Sequence, residues 1–85
     1  MPELCRFHGI VIRMYVGDHP PPHFHAEYAG DEAQVSIEDR RVMRGGLPPR
    51  QIRLVLEWVD RREAELLAAW ERAVGDEAPG TIDPL

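Results

Sequence analysis

"HFHAEYAGDEAQVSIE", residues 23–38, decides the fold. Polar and apolar residues alternate from His23 to Tyr28 and again from Glu32 to Glu38, and Gly30-Asp31 supplies a turn between them. Period-two alternation on both sides of a short turn is the pattern of a hairpin with one covered face. Phe24, Ala26 and Tyr28 fall on one side, in register with Ala33, Val35 and Ile37. His23, His25 and Glu27 fall on the other, beside Gln34, Ser36 and Glu38.

Upstream, "GIVIRMYV" (residues 9–16) is rich in β-branched and aromatic residues and reads as a strand ended by Gly17-Asp18. Ile10, Ile12 and Met14 can join the apolar face, while Arg13 and Tyr15 join the histidine face. His19-Pro-Pro-Pro22 cannot be helical, because proline lacks the amide donor and pushes the residue before it into extended geometry. The strands are therefore expected over about 9–16, 22–29 and 32–38, with "RVMR" (41–44) as a short fourth.

After Gly45-Gly46 the period changes. Ile52, Val55, Leu56, Val59, Leu66, Leu67, Trp70 and Val74 form a helical stripe, with Pro48-Pro49 suited to its start and Gly75 to its end. The polar patch Asp60–Glu63 marks a bend or a break into two helices. The expected fold is one α+β domain spanning 1–85. A three- to four-stranded antiparallel meander carries a C-terminal helix, or bent helix pair, over about 48–74 on one face, and 75–85 form a loop-like tail. Trp58 and Trp70 read as core, and His8 and Cys5 as incidental residues before the first strand.

Composition bounds the function. At 85 residues the chain has room for a single modest core, and one cysteine excludes an intramolecular disulfide. No apolar run resembles a signal peptide or membrane span, so a cytoplasmic location with no membrane partner is expected. A net charge of −5 argues against sequence-indifferent nucleic-acid binding. Yet Arg40, Arg41, Arg44, Arg50 and Arg53 follow one another with no intervening acid, which leaves a local anion site open.

Three functional readings stand side by side. His23 and His25, two apart on a strand, present both imidazoles to one side. With His19 and Glu27 they form a candidate ligand set for zinc or another divalent transition metal. Alternatively, His23, His25 and His19 supply acid–base groups and Arg13 a cation for metal-independent RNA cleavage, with Arg40, Arg41 and Arg44 holding the phosphates. Glu27 and Glu38 beside the histidines count against that reading, which needs no cofactor. The third reading is a non-enzymatic interaction module built on a rigid prolyl corner, with a homodimer as one form of it.

Taken together, "FHGIVIRMYVGDHPPPHFHAEY", "VSIED", "LPPRQIRLVLEWVDRREAELLAAW" and "IDPL" resemble the domain of unknown function 4160 family. The most specific part is Asp18, His19, Pro21, Pro22, His23, Phe24, His25 and Ala26. The resemblance implies a small cytoplasmic bacterial or archaeal protein. It also implies a partner of the domain of unknown function 2442 family encoded alongside, in a pairing similar to a toxin–antitoxin module. It implies no catalytic activity. Under it, the chain is expected to be one component of a two-protein module acting through its His19/His23/His25 rim.

Overall fold

A computed structural model describes residues 3–85. Five strands, β1 (Glu3–Phe7), β2 (Ile10–Arg13), β3 (His23–Tyr28), β4 (Asp31–Ser36) and β5 (Arg41–Gly45), precede one helix, α1 (Pro49–Val74). The strands form a single antiparallel sheet in chain order, so the fold is α+β, as the periodicities predict.

The strand count is five rather than three or four. The additional strand, β1, is joined to β2 by a two-residue turn, His8-Gly9, in which both residues have positive φ (49° and 76°). Such turns match the twist of paired strands, and histidine is among the non-glycine residues that tolerate this region. The β3–β4 turn has the same form, with Ala29 at φ 50° and Gly30 at φ 88°. Alanine gains nothing there to offset its Cβ clash, whereas Asn-Gly is the preferred pair. Ala29→Asn is therefore expected to raise stability by about 1 kcal/mol, read as a higher urea midpoint at unchanged m-value.

The apolar face is the one alternation assigns. Ile10, Ile12, Met14, Phe24, Ala26, Ala33, Val35 and Ile37 are fully buried beneath Val55, Trp58, Val59, Leu66, Ala69 and Ala73 of the helix. At about 1.5 Å per residue the 26 residues of α1 give about 39 Å of helix contour, bent to fit a molecule 33 Å in its longest extent, and against about 20 Å for a six-residue strand it overhangs the sheet. It is one element with a kink, and Arg62 at φ −123° breaks its helical geometry inside the expected Asp60–Glu63 patch. Arg40, at the β4–β5 turn, bonds Asp60 and, at 2.6 Å, Glu63, tying that turn to the kink.

Beyond Arg62 the helix carries Trp70 toward the β2–β3 connection. Gly17 N–H donates to the Ala73 carbonyl (3.1 Å) and anchors that connection to the last helical turn. The first long strand ends at Arg13 rather than at residue 16, so Met14–Pro22 are free to fold back. The tail also docks. Ile82 N–H donates to the Leu4 carbonyl (2.9 Å), Trp58 Nε1 donates to the Asp83 carbonyl (2.8 Å), and Ile82 is buried.

Cys5 packs against this core, and burial, reinforced by the Glu3 carboxylate, pushes its thiol up from 9.0 to about 12. The raised value keeps the thiol protonated in the folded state. Its contribution to stability is full below pH 9 and is lost as pH rises from there toward about 12. Native Cys5 is expected to resist iodoacetamide at pH 8 and to react at once in urea, as mass spectrometry of alkylated protein would record.

Candidate metal centre

The histidine face is not an open rim. His23 and His25 retain only 5% and 8% of their surface exposure. Alternation does turn both away from the Phe24/Ala26 face, but the Met14–Pro22 connection and the overhanging helix close over them. The Tyr15 ring meets His25 edge-on at 4.5 Å between centroids, and Trp70 lies 5.3 Å from His23. This overturns the expectation of an uncovered face: what covers the histidines is a loop with no periodicity to announce it.

That loop brings Asp18 to the two rings. Asp18 Oδ2 lies 3.0 Å from His23 Nε2 and 3.2 Å from His25 Nε2. The opposite ring nitrogens are also engaged: His23 Nδ1 with the Pro21 carbonyl (2.9 Å), and His25 Nδ1 with Glu32 Oε2 (2.7 Å). A carbonyl and a carboxylate only accept, so both Nδ1 atoms donate. In the neutral rings each Nε2 is then a bare lone pair; that of His25 is directed at Asp18 Oδ2, and His23 Nε2 lies 3.0 Å from the same oxygen.

Only positive charge between them resolves that opposition. Either one or both rings carry a second proton, their centroids being 5.4 Å apart, or one cation is shared. One ligand atom from each of Asp18, His23 and His25 lies within 4.8 Å of the others. Donors about 2.0–2.1 Å from an ion stand about 2.9 Å apart at octahedral and about 3.4 Å at tetrahedral angles, and the 3.0 and 3.2 Å separations fall between.

The Asp18 carboxyl sits below its ordinary value. Burial pushes it up, but the hydrogen bond from the His19 backbone N–H and, with the rings protonated, the hydrogen bond from His25 and the charges of both rings outweigh burial and favour the anion. The Tyr15 hydroxyl is pushed up, by burial first and then by Glu27 and Glu32.

A protein-family model, "Domain of unknown function (DUF4160)", matches residues 9–71. The chain belongs to this family. The match takes in Asp18, His23, His25 and Glu32 and leaves β1 and the tail outside it. No curated protein and no solved structure matches the chain.

Within this DUF4160 domain the other candidate residues part company. His19 is exposed, and only its backbone N–H reaches Asp18. Glu27 is held by Arg13 at 3.2 Å. Strand rise explains why Glu27 does not join the Asp18–His23–His25 cluster: it lies about 13 Å along β3 from His23. Arg13 is thus engaged with a carboxylate, and Arg40 is spent on Asp60 and Glu63, whereas Arg41 and Arg44 lie exposed on β5. Asp18 and Glu32 were missing from the sequence-based set. The signal for Glu32 is the two-residue turn, which fixes His25 opposite Gln34 and hence Glu32 on its diagonal. Among the described residues no helix is long and apolar enough to cross a membrane.

Proposed function

We propose that this DUF4160 protein binds one divalent transition-metal ion through His23 Nε2, His25 Nε2 and an Asp18 carboxylate oxygen. The observation that carries the reading is convergence: two Nδ1 atoms held by acceptors, and two Nε2 atoms 3.0 and 3.2 Å from one Asp18 oxygen. Metal-ligating histidines are typically held this way, the far N–H donating to a carbonyl or carboxylate. Two imidazoles and one carboxylate suit zinc, iron(II), cobalt(II) or manganese(II). Three protein ligands are one fewer than a closed structural site uses, so a position is left for water or an exogenous ligand. Bound there, the ion clasps the proline connection to β3 and supplies Lewis acidity at the open position.

Acid–base cleavage of RNA, and with it a toxin's role, draws less support. Every nitrogen of His23 and His25 lies within 3.2 Å of a carbonyl or carboxylate oxygen, and Asp18, Glu27 and Glu32 make the surroundings repulsive to phosphate.

The test is cobalt(II) titration of untagged, chelator-treated protein, followed by visible absorption. One equivalent with saturable d–d bands and release of protons is expected. Absence of any stoichiometric binding by cobalt or zinc overturns the proposal. Glu32 acts through His25, so Glu32→Ala should leave the stoichiometry at one ion and weaken affinity about 10- to 100-fold. Glu32 is about half exposed, which makes the variant a mild test of folding and a direct one of ring orientation.

A further inference from the structure

The sheet has two edges, and they are treated differently. Along β1 the tail is laid down, through Ile82 N–H to the Leu4 carbonyl. Along β5, among the described residues, β4 is the only hydrogen-bonded neighbour. β5 carries Arg41 and Arg44, paired across the sheet with Ser36 and Gln34, and Met43 is the extra residue of a bulge, 41% exposed. The chain then passes through Gly46–Pro48 into the first turns of α1, which carry Arg50 and Arg53 and no acid in the first turn.

Charge on this stretch is unspent. Arg40 is neutralised by Asp60 and Glu63, but Arg41, Arg44, Arg50 and Arg53 are all exposed and have no acidic partner among the described residues. A groove of about 530 Å³ adjoins Arg50 and Arg53, lined with them by Leu54, Leu56, Glu57 and Asp60 of α1. Its two carboxylates are engaged by Arg61 and Arg40, so its free charges are the two arginines above an aliphatic floor.

We infer that β5 and the first turns of α1 form a docking surface for an acidic, extended polypeptide segment of a partner protein. Three observations select this occupant. A second copy pairing antiparallel along β5 would set arginine against arginine, which like-charge repulsion across strands disfavours. Nucleic acid offers no amide backbone to pair with the free edge of β5, whereas an extended peptide does. An extended acidic strand with alternating apolar side chains meets the free edge with its backbone, the arginines with its carboxylates, and Met43, Leu54 and Leu56 with its apolar face. The surface is separate from the metal centre, with which it shares no residue.

The experiment is NMR titration of isotope-labelled protein with a short, end-capped peptide of alternating glutamate and valine, and in parallel with oligouridine. Saturable shifts confined to Arg41–Gly46 and Arg50–Leu54 are expected with the peptide. They should be lost in about 1 M salt, where the Debye length is about 3 Å, and weakened about tenfold or more by R41Q/R44Q. Both arginines are exposed, so the variant is expected to fold, and its spectrum away from β5 checks that. The inference is overturned by an absence of saturable shifts or by peptide binding indifferent to R41Q/R44Q. It is equally overturned by tighter oligouridine binding at the same residues, or by peptide-free shifts along β5 that grow with protein concentration and mark a second copy.

Discussion

Replacing His23 and His25 together by alanine is expected to abolish stoichiometric metal, lowering affinity more than about a hundredfold. That floor is the upper end of what losing a supporting residue such as Glu32 costs, and here the ligands themselves are gone. The readout is twofold. Metal content by mass spectrometry should fall from one ion per chain to background. Added zinc at a hundred times the wild-type Kd should stabilise wild type by about 2.7 kcal/mol and leave the double variant unmoved. Asp18→Ala separates the roles further. It removes the third ligand, so affinity should fall steeply while both rings keep their Nδ1 partners. If Asp18→Ala bound metal as tightly as wild type, the carboxylate would be a hydrogen-bond acceptor only and the proposed centre would lose its third ligand.

The largest loss of stability is expected from Trp58→Ala. Trp58 is completely buried where three parts of the chain meet. Its ring lies 5.5 Å from Phe7 of β1 and 5.6 Å, edge-on, from Phe24 of β3, and its Nε1 donates to the Asp83 carbonyl of the tail. Truncating a buried tryptophan leaves a cavity that close-packed neighbours fill only in part, at a cost of about 3–5 kcal/mol. For a domain whose whole stability is of order 5–15 kcal/mol, that is a large share of the total. Trp58→Phe should cost less. It keeps most of the ring volume and gives up the bond to Asp83, about 1–2 kcal/mol, with faster amide exchange at Ile82 as the tail loosens. A shift below about 1 kcal/mol for Trp58→Ala would mean the helix is not seated on the sheet through this residue.

How far the molecule could be read in advance varies by element. The β3–β4 hairpin, the apolar face and the bend near Arg62 were all legible, because alternation and helical periodicity are local and report directly on which side of a backbone is covered. β1 was not, although Leu4 and Phe7 are buried. Its cue was the turn His8-Gly9, whose positive φ is carried half by histidine, a weaker signal than Asn-Gly. In the proposed metal centre, His23 and His25 were legible as a pair from their spacing. Glu27 and His19 were natural additions by chain proximity, but the strand's rise carries Glu27 away and the prolyl connection leaves His19 exposed.

By itself, then, the sequence determined the sheet-and-helix architecture, the core residues and the fact that two imidazoles point the same way. Family membership also rests on sequence, over residues 9–71. The tertiary structure decided that these imidazoles are buried, that Asp18 is their common neighbour, that Glu32 orients one of them, and that Arg40 is withdrawn from the arginine stretch while Arg41 and Arg44 stay exposed. The reason is one of range. A strand's two faces follow from its own dihedral angles, whereas what closes over a face depends on where an aperiodic loop and an overhanging helix come to rest, and that is set by contacts between residues far apart in the chain.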